Sequence, residues 1–407
     1  MVRLDGHIGE WVLKLYRVGP NSPQGQHLIS LVGYLQQQAE LGRQPVLVLP
    51  HHAVIDERAD RVGCLMPAAR GEPLDGDTCI RLYTHPQGLI ARLKAAARLA
   101  AAVAALHRHG IVHADLTAPN VLVEVTAAQP ALLDIDGGGV LASPLGPTYC
   151  PGLAPLVRGR PEGSFLAPEL YRDSRACPSL ASDRWSLAVL LHYLLFGGLD
   201  PFFYVDYFAD VVDPGVSWPP EGPHTGTRRR WVEFHLAERN RLGPLLLHLF
   251  RGAFNRPDGT ARAFSLRPSA DNWADVLELS ARWVLRCPSC KEELVALKRT
   301  HCPFCGAQLP HPQVWTKRGG LVLKEEKIIL GRDVGFTDAA GHHEVARFSR
   351  RGNKVLLFPR VPMRDLARGR DHTPQDPHPI EIGRGRHAFG LWSRDGRQRA
   401  EIRIYVP

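Results

Sequence analysis

The chain has 407 residues, 44% of them hydrophobic and 22% charged, enough apolar surface for two or three packed domains and too little charge for global disorder. No apolar run reaches about 18 residues and the opening MVRLDGHIGEW has no signal-peptide core, so a cytoplasmic protein without membrane insertion is expected. The net charge of +9 is uneven: from Pro312 onward 19 Lys and Arg face 11 Asp and Glu, against 31 and 30 in the rest.

In chain order, WVLKLY (Trp11 to Tyr16) alternates as a strand and carries Lys14. Helical spacing follows in HLISLVGYLQQQ (His27 to Gln38), and PVLVLP (Pro45 to Pro50) and GCLMP (Gly63 to Pro67) read as further strands. Gly88 to His109 is an Ala/Leu/Arg-rich helix without Pro. It leads into LHRHGIVHADLTAPNVLVEVTAAQPALLDIDGGG, where short apolar strands (Val121 to Val123, Ala131 to Leu133) separate His113, Asp115, Asn120, Asp134 and Asp136. Strand ends bearing carboxylates and a carboxamide suit a metal-phosphate site, with one carboxylate left to orient a hydroxyl.

These residues resemble the protein-kinase superfamily. HADLTAPN matches the catalytic-loop pattern H-R-D-x-x-x-x-N with Ala114 in place of Arg, and LLDIDGG stands where D-F-G belongs. Ala167-Pro168-Glu169 resembles the A-P-E element. SDRWSLAVLLHYLLFGGLDPF (Ser182 to Phe202) is similar to the helix after it, with Asp183 where an Asp braces the catalytic loop, and Arg267 resembles the Arg that pairs with the A-P-E Glu. The resemblance implies an α+β, two-lobed kinase-like fold with an N-lobe over 1–75 and a C-lobe over 76–285. It implies ATP and Mg²⁺, with Asp115 accepting the substrate proton, Asn120 and Asp134 holding Mg²⁺, Lys14 on the phosphates, and His113 in a structural role. Asp136 is either a second metal ligand or a solvated turn residue. Leu65 and Met66 either line the base pocket or belong to the core.

The sequence departs from the family in two places. No G-x-G-x-x-G precedes Lys14, only Gly6 and Gly9, so the N-lobe is expected to be shortened unless the true start lies upstream. No acidic residue occurs from Val12 to Ala39, so the helix Glu that should pair with Lys14 is missing; a Gln at 36, 37 or 38 is the candidate replacement. Without the Arg at 114, activation by loop phosphorylation is not expected, although Thr148, Tyr149 and Ser164 are available. A Ser/Thr protein kinase acting on a protein substrate is the expected function. A pseudokinase scaffold and a small-molecule phosphotransferase of the aminoglycoside or choline kinase type stay open.

Asp210 to Thr227 reads as irregular, and Trp231 to Ala253 and Ala270 to Leu285 as helices. Cys287-Pro-Ser-Cys290 and Cys302-Pro-Phe-Cys305 follow, eleven residues apart. Two C-x₂-C knuckles complete a tetrahedral thiolate shell, which predicts a zinc ribbon over 286–310 with Zn²⁺ closed off from chemistry. The segment 312–407 turns to alternating strands, a small basic all-β domain for an anionic partner, phosphoprotein or nucleic acid. Its Gly331-Arg332 and Ser349-Arg350 resemble the phosphopeptide-binding forkhead-associated fold, which would put Arg332 and Ser349 on phosphate. Kinase-plus-zinc-ribbon order resembles members of the phosphorylation triads of tellurium-resistance and von Willebrand A-domain proteins, implying a von Willebrand A-type partner and a PP2C-type phosphatase.

Overall fold

The structure is a computed structural model that describes residues 10–137, 139–140, 163–173, 176, 178–203, 218–219, 226–254, 266–297, 299–309, 313–316, 319–322, 327–330, 334, 344–351, 354–393, 396 and 399–406. The chain is a mixed α+β protein. It forms two compact units, Met1–Glu238 with Leu245–Glu278, and Arg239–Pro244 with Leu279–Pro407. Among the described residues no helix is long and apolar enough to cross a membrane.

The first unit opens with β1 (Trp11–Leu15), α1 (Pro23–Gln37), α2 (Ala39–Gly42), β2 (His52–Asp56) and β3 (Arg61–Pro67). The strands form an antiparallel sheet in the order β1-β3-β2. Ser22 starts α1 by accepting the Gly25 N–H at 3.0 Å, and Pro23 occupies the first helical position. Leu28 and Val32, one turn apart, then pack on Val48, Val62, Cys64 and Met66. PVLVLP is not a strand. Pro45 and Pro50 remove two donors, and Leu47 makes only an isolated bridge to Leu132. The sheet strand is the next segment, His52–Asp56.

A helical layer follows. β4 (Glu72–Pro73) precedes α3 (Gly76–Tyr83) and the buried α4 (Leu89–Arg108). The short strands β5 (Ile111–Val112), β6 (Val121–Glu124), β7 (Gln129–Leu132) and β8 (Gly139–Val140) pair as β4-β6-β7 and β5-β8. α5 (Pro168–Arg172) precedes α6 (Leu180–Leu195), which starts with a reciprocal Ser179/Ser182 capping box. The expected single helix through Ala253 is two, α7 (Gly226–Leu242) and α8 (Pro244–Phe254). Gly243 has φ +87° and Pro244 restarts the chain, the usual stop and start signals. Likewise α9 (Ala270–Arg282) ends before Leu285, which belongs to a strand.

Arg92 and Glu238 form a buried ion pair in this unit. Arg92 donates to Glu238 at 3.1 Å and to the Leu195 carbonyl at 2.6 Å, and Tyr83 donates to Glu238 at 2.8 Å. Close by, the fully buried His192 and His235 meet Nε2 to Nε2 at 3.2 Å among Phe196, Trp218 and Phe250. His192 Nδ1 lies 2.9 Å from the Leu199 carbonyl and so carries the proton that bond needs, leaving Nε2 as acceptor from His235. Burial, then the neighbouring His235, hold His192 well below its ordinary 6.5. The folded state therefore keeps this imidazole neutral while the unfolded chain takes up a proton below about pH 6.5. Stability should fall as pH drops from 7 to 5, and His192→Gln should flatten that slope in thermal melts; parallel slopes for the two proteins would refute the assignment.

The second unit begins with the antiparallel hairpin β9 (Val284–Arg286) and β10 (Glu293–Val295). It continues as two β-sheets that share one core including Ile329, Phe348, Leu357, Phe389, Leu391, Ile402 and Ile404. Their strands are β11 (Gln313–Thr316), β12 (Gly319–Val322), β13 (Lys327–Leu330), β14 (Glu344–Arg351), β15 (Lys354–Pro359), β16 (Met363–Asp365), β17 (Asp371–His372), β18 (Ile380–Ile382), β19 (Gly385–Trp392) and β20 (Arg399–Val406). The orders are β12-β11-β20-β19-β16-β17 and β13-β14-β15-β18.

Candidate functional site

The polar points between β5 and β8 are brought together by one buried carboxylate. Asp183, near the start of α6, accepts the His113 N–H at 2.7 Å and the Ala114 N–H at 3.0 Å, with His107 Nε2 at 3.1 Å. Ala114 sits at φ +68°, a left-handed conformation that a non-glycine residue holds only when its surroundings impose it. His113 Nε2 reaches the Leu133 carbonyl at 2.8 Å, tying this loop to the segment that carries Asp134. Asn120 donates through Nδ2 to both the carboxylate (2.8 Å) and the backbone carbonyl (2.9 Å) of Asp115, and its backbone carbonyl accepts the Leu133 N–H at 2.8 Å.

Lys14 arrives from β1, 120 positions away in sequence. Its Nζ lies 2.8 Å from Asp134 Oδ1 and 3.0 Å from Asp136 Oδ2. Asp134 is itself at φ +60°. Burial works to lower the Lys14 pKa, but Asp136 and Asp134 outweigh it and hold the ammonium above its ordinary 10.5. Asp136 is no solvated turn residue: its side chain is 3% exposed, and Oδ1 is buried without a hydrogen-bond partner among the described residues. An orphaned carboxylate oxygen beside Asp134 fits a hard divalent cation.

The helix that lacks a Glu offers Lys14 none of its glutamines. Gln36 instead donates to the His51 carbonyl, and Glu40 lies 3.8 Å from His109. Asp136, two residues past Asp134, supplies the second carboxylate on Lys14; no local sequence signal tied it to Lys14. Leu65 and Met66 do not share a face. Side chains alternate along β3, so Met66 and Cys64 lie on the Lys14 side and Leu65 on the other. Met66 also packs in the core beneath α1. Burial pushes the Cys64 thiol up to about 11, with Lys14 working against that shift and Asp134 adding to it.

Farther along, Glu169 and Arg267 form a two-pronged ion pair at 2.6 and 2.7 Å, the guanidinium stacked over Trp185 at 5.0 Å. Ser164 is buried and donates to Asp200, so it is no accessible phosphate acceptor; Thr148 and Tyr149 lie outside the described residues. A small opening beside Asp115 is lined by Thr117, Phe165, Leu166, Ala167 and Leu170.

In the second unit the four clustered cysteines converge. All four sulfurs lie within 4.8 Å of one another, with Cys287–Cys305 and Cys290–Cys302 both 3.6 Å apart. A disulfide needs about 2.05 Å. Four thiolates about 2.3 Å from one tetrahedral ion would lie roughly 3.8 Å apart. The two knuckles repeat one backbone design. The N–H of Cys287 bonds the Glu292 carbonyl and that of Cys302 the Ala307 carbonyl, both at 2.8 Å. Lys291 and Gly306, each four residues past its cysteine, turn left-handed at φ +64° and +71°. The Ala307 N–H bond to sulfur is the main cause holding Cys305 down at about 6. This Cys₄ cluster could hold a metal ion.

Ser349 lies on β14 opposite Leu356, half-buried, and Arg332 falls outside the described residues. No protein-family model matches the chain.

Proposed function

We propose that this chain is a Ser/Thr protein kinase that transfers the γ-phosphate of ATP to a protein hydroxyl. The observation that carries the reading is the meeting of Lys14, Asp134 and Asp136 next to the Asn120–Asp115 pair, built from segments distant in sequence. In this reading Asp134, Asp136 and the side-chain carbonyl of Asn120 would hold Mg²⁺, which supplies charge neutralisation for the phosphates when bound. Lys14 grips the α- and β-phosphates and is kept charged by its two carboxylates. Asp115 orients the acceptor hydroxyl and takes its proton late. Asp136 serves as counter-charge to Lys14 in the place of the missing helix Glu. The A-P-E-like segment and the helix α6 after it favour a protein acceptor over a small molecule, as the family resemblance implies. The Cys₄ cluster is read as a structural zinc site, its shell complete and without an open position for chemistry. A von Willebrand A-type partner and a PP2C-type phosphatase belong to the same proposal.

Transfer of γ-phosphate from ATP to a peptide pool, with Mg²⁺, should fall roughly a thousandfold in Asp134→Ala, as several kcal/mol of charge stabilisation implies. Equal transfer by the variant removes Asp134 from the role. Tight nucleotide binding without any transfer by the wild-type chain would favour a pseudokinase scaffold.

A further inference from the structure

The outer face of the six-stranded sheet carries a pattern that the phosphotransfer reading does not use. Phe389, Leu391, Ile402, Ile404 and Val406 turn into the core of the second unit. Their alternates therefore face outward. Cross-strand register then pairs each outward aromatic with an arginine: Arg386 opposite Tyr405 and Trp392 opposite Arg399. On the neighbouring strand β11, Trp315 holds the register position beside Arg403. Arg364 lies opposite Gly390 on the same face, and Leu366, 51% exposed, leans to within 3.2 Å of where a Cβ on Gly390 would be.

Arg364, Arg386, Arg399 and Arg403 are exposed, Trp392 and Tyr405 half-buried. Among the described residues the acids on this face are Glu401, 2.7 Å from Arg403, and Asp371, 3.9 Å from Arg364. Among the described residues Arg386 and Arg399 form no ion pair and stack on neither ring, so guanidiniums and ring faces are both available. The next turn adds exposed Arg384, and the hairpin joining β16 to β17 adds exposed Arg368 and Arg370.

We propose that this sheet face binds single-stranded nucleic acid, with Trp392 and Tyr405 stacking on bases and Arg386, Arg399 and their neighbours on the phosphates. Charge alone fits any polyanion, but the rings distinguish among them. A phosphopeptide is captured by donors converging on one phosphate, whereas these arginines are spread over several strands with rings between them. Flat rings interleaved with cations suit a chain that alternates phosphates and exposed bases. A duplex keeps its bases stacked away from such rings. Six strand positions separate Arg386 from Trp392, on the order of 20 Å at about 3.4 Å per residue, room for about four nucleotides, the short end of single-strand sites. The inference stands apart from phosphotransfer, and either can fail without the other.

The test is fluorescence anisotropy of the full chain with labelled 12-nucleotide single-stranded RNA and DNA, over a salt series. Binding should weaken with salt, with a log–log slope of about −2 to −3 for three or four phosphates. Arg386→Glu with Arg399→Glu, two exposed changes that leave the core untouched, should weaken binding at least about tenfold. Trp392→Ala should weaken it roughly five- to a hundredfold, the loss of one stacked base. The proposal is overturned by no binding at about 50 mM salt, by affinity unchanged in the double arginine variant, by equal affinity for duplex, or by a phosphothreonine peptide binding more tightly than either oligonucleotide.

Discussion

Asp115→Asn should lower phosphotransfer by about two to four orders of magnitude while nucleotide affinity stays unchanged. The loop around residue 115 is shaped by bonds that the substitution does not touch: Asp183 on the His113 and Ala114 N–H groups, and His113 on the Leu133 carbonyl. Asn120 donates to the Asp115 side-chain oxygen, and an amide oxygen can accept that bond equally well. The variant therefore keeps these bonds and, in the proposed mechanism, loses the proton acceptor. Single-turnover phosphotransfer beside nucleotide titration measures the two quantities separately. A loss of nucleotide affinity equal to the loss of rate would mean that Asp115 shapes the pocket; undiminished transfer would take it out of the chemistry.

Cys290→Ser, or a strong chelator, should strip one metal ion per chain and melt the second unit around β9 and β10. Apparent binding energies of about 10 to 16 kcal/mol for structural zinc exceed the few kcal/mol by which a small module is stable on its own. The hairpin is only three residues per strand, and the knuckle turns contain two left-handed residues that a bound ion would keep in place. Elemental analysis should find about one zinc in the wild type and none in the variant, with iron as the outcome that corrects the metal. Chelation should add about four reactive thiols. Cys64 and Cys79, pushed by burial to about 11 and about 12, should stay silent in the same assay. A metal-free chain whose β9–β10 hairpin keeps its protection from amide exchange would end the structural-metal reading.

Local order carried much of the architecture. The helix 89–108 is legible because every turn offers an apolar or Ala position for burial. β6 and β7 are legible as short apolar runs between polar points, and the Cys₄ cluster because knuckle spacing alone aims paired sulfurs at one ion. Motif order also singled out Asp183, Glu169 and Arg267, whose contacts span 69 to 98 positions. Local pattern misled at PVLVLP and left Leu65 and Met66 undecided. PVLVLP has the composition of a strand, but its prolines leave too few donors for a ladder and Leu132 captures it singly. Leu65 and Met66 are adjacent in sequence and therefore on opposite faces, which only the register of β1 against β3 turns into a statement about Lys14.

Three features required the folded chain. The carboxylate missing from α1 is supplied to Lys14 by Asp136, because ion pairing depends on distance in space and the β1 lysine crosses 122 positions to meet it. The His192–His235 pair exists only where α6 and α7 bury the two rings together. The arginine–aromatic face of the second unit arises from cross-strand register, in which a slip of one residue would turn every ring into the core. Composition could announce a basic tail; the pairing of its strands placed the rings beside the charges.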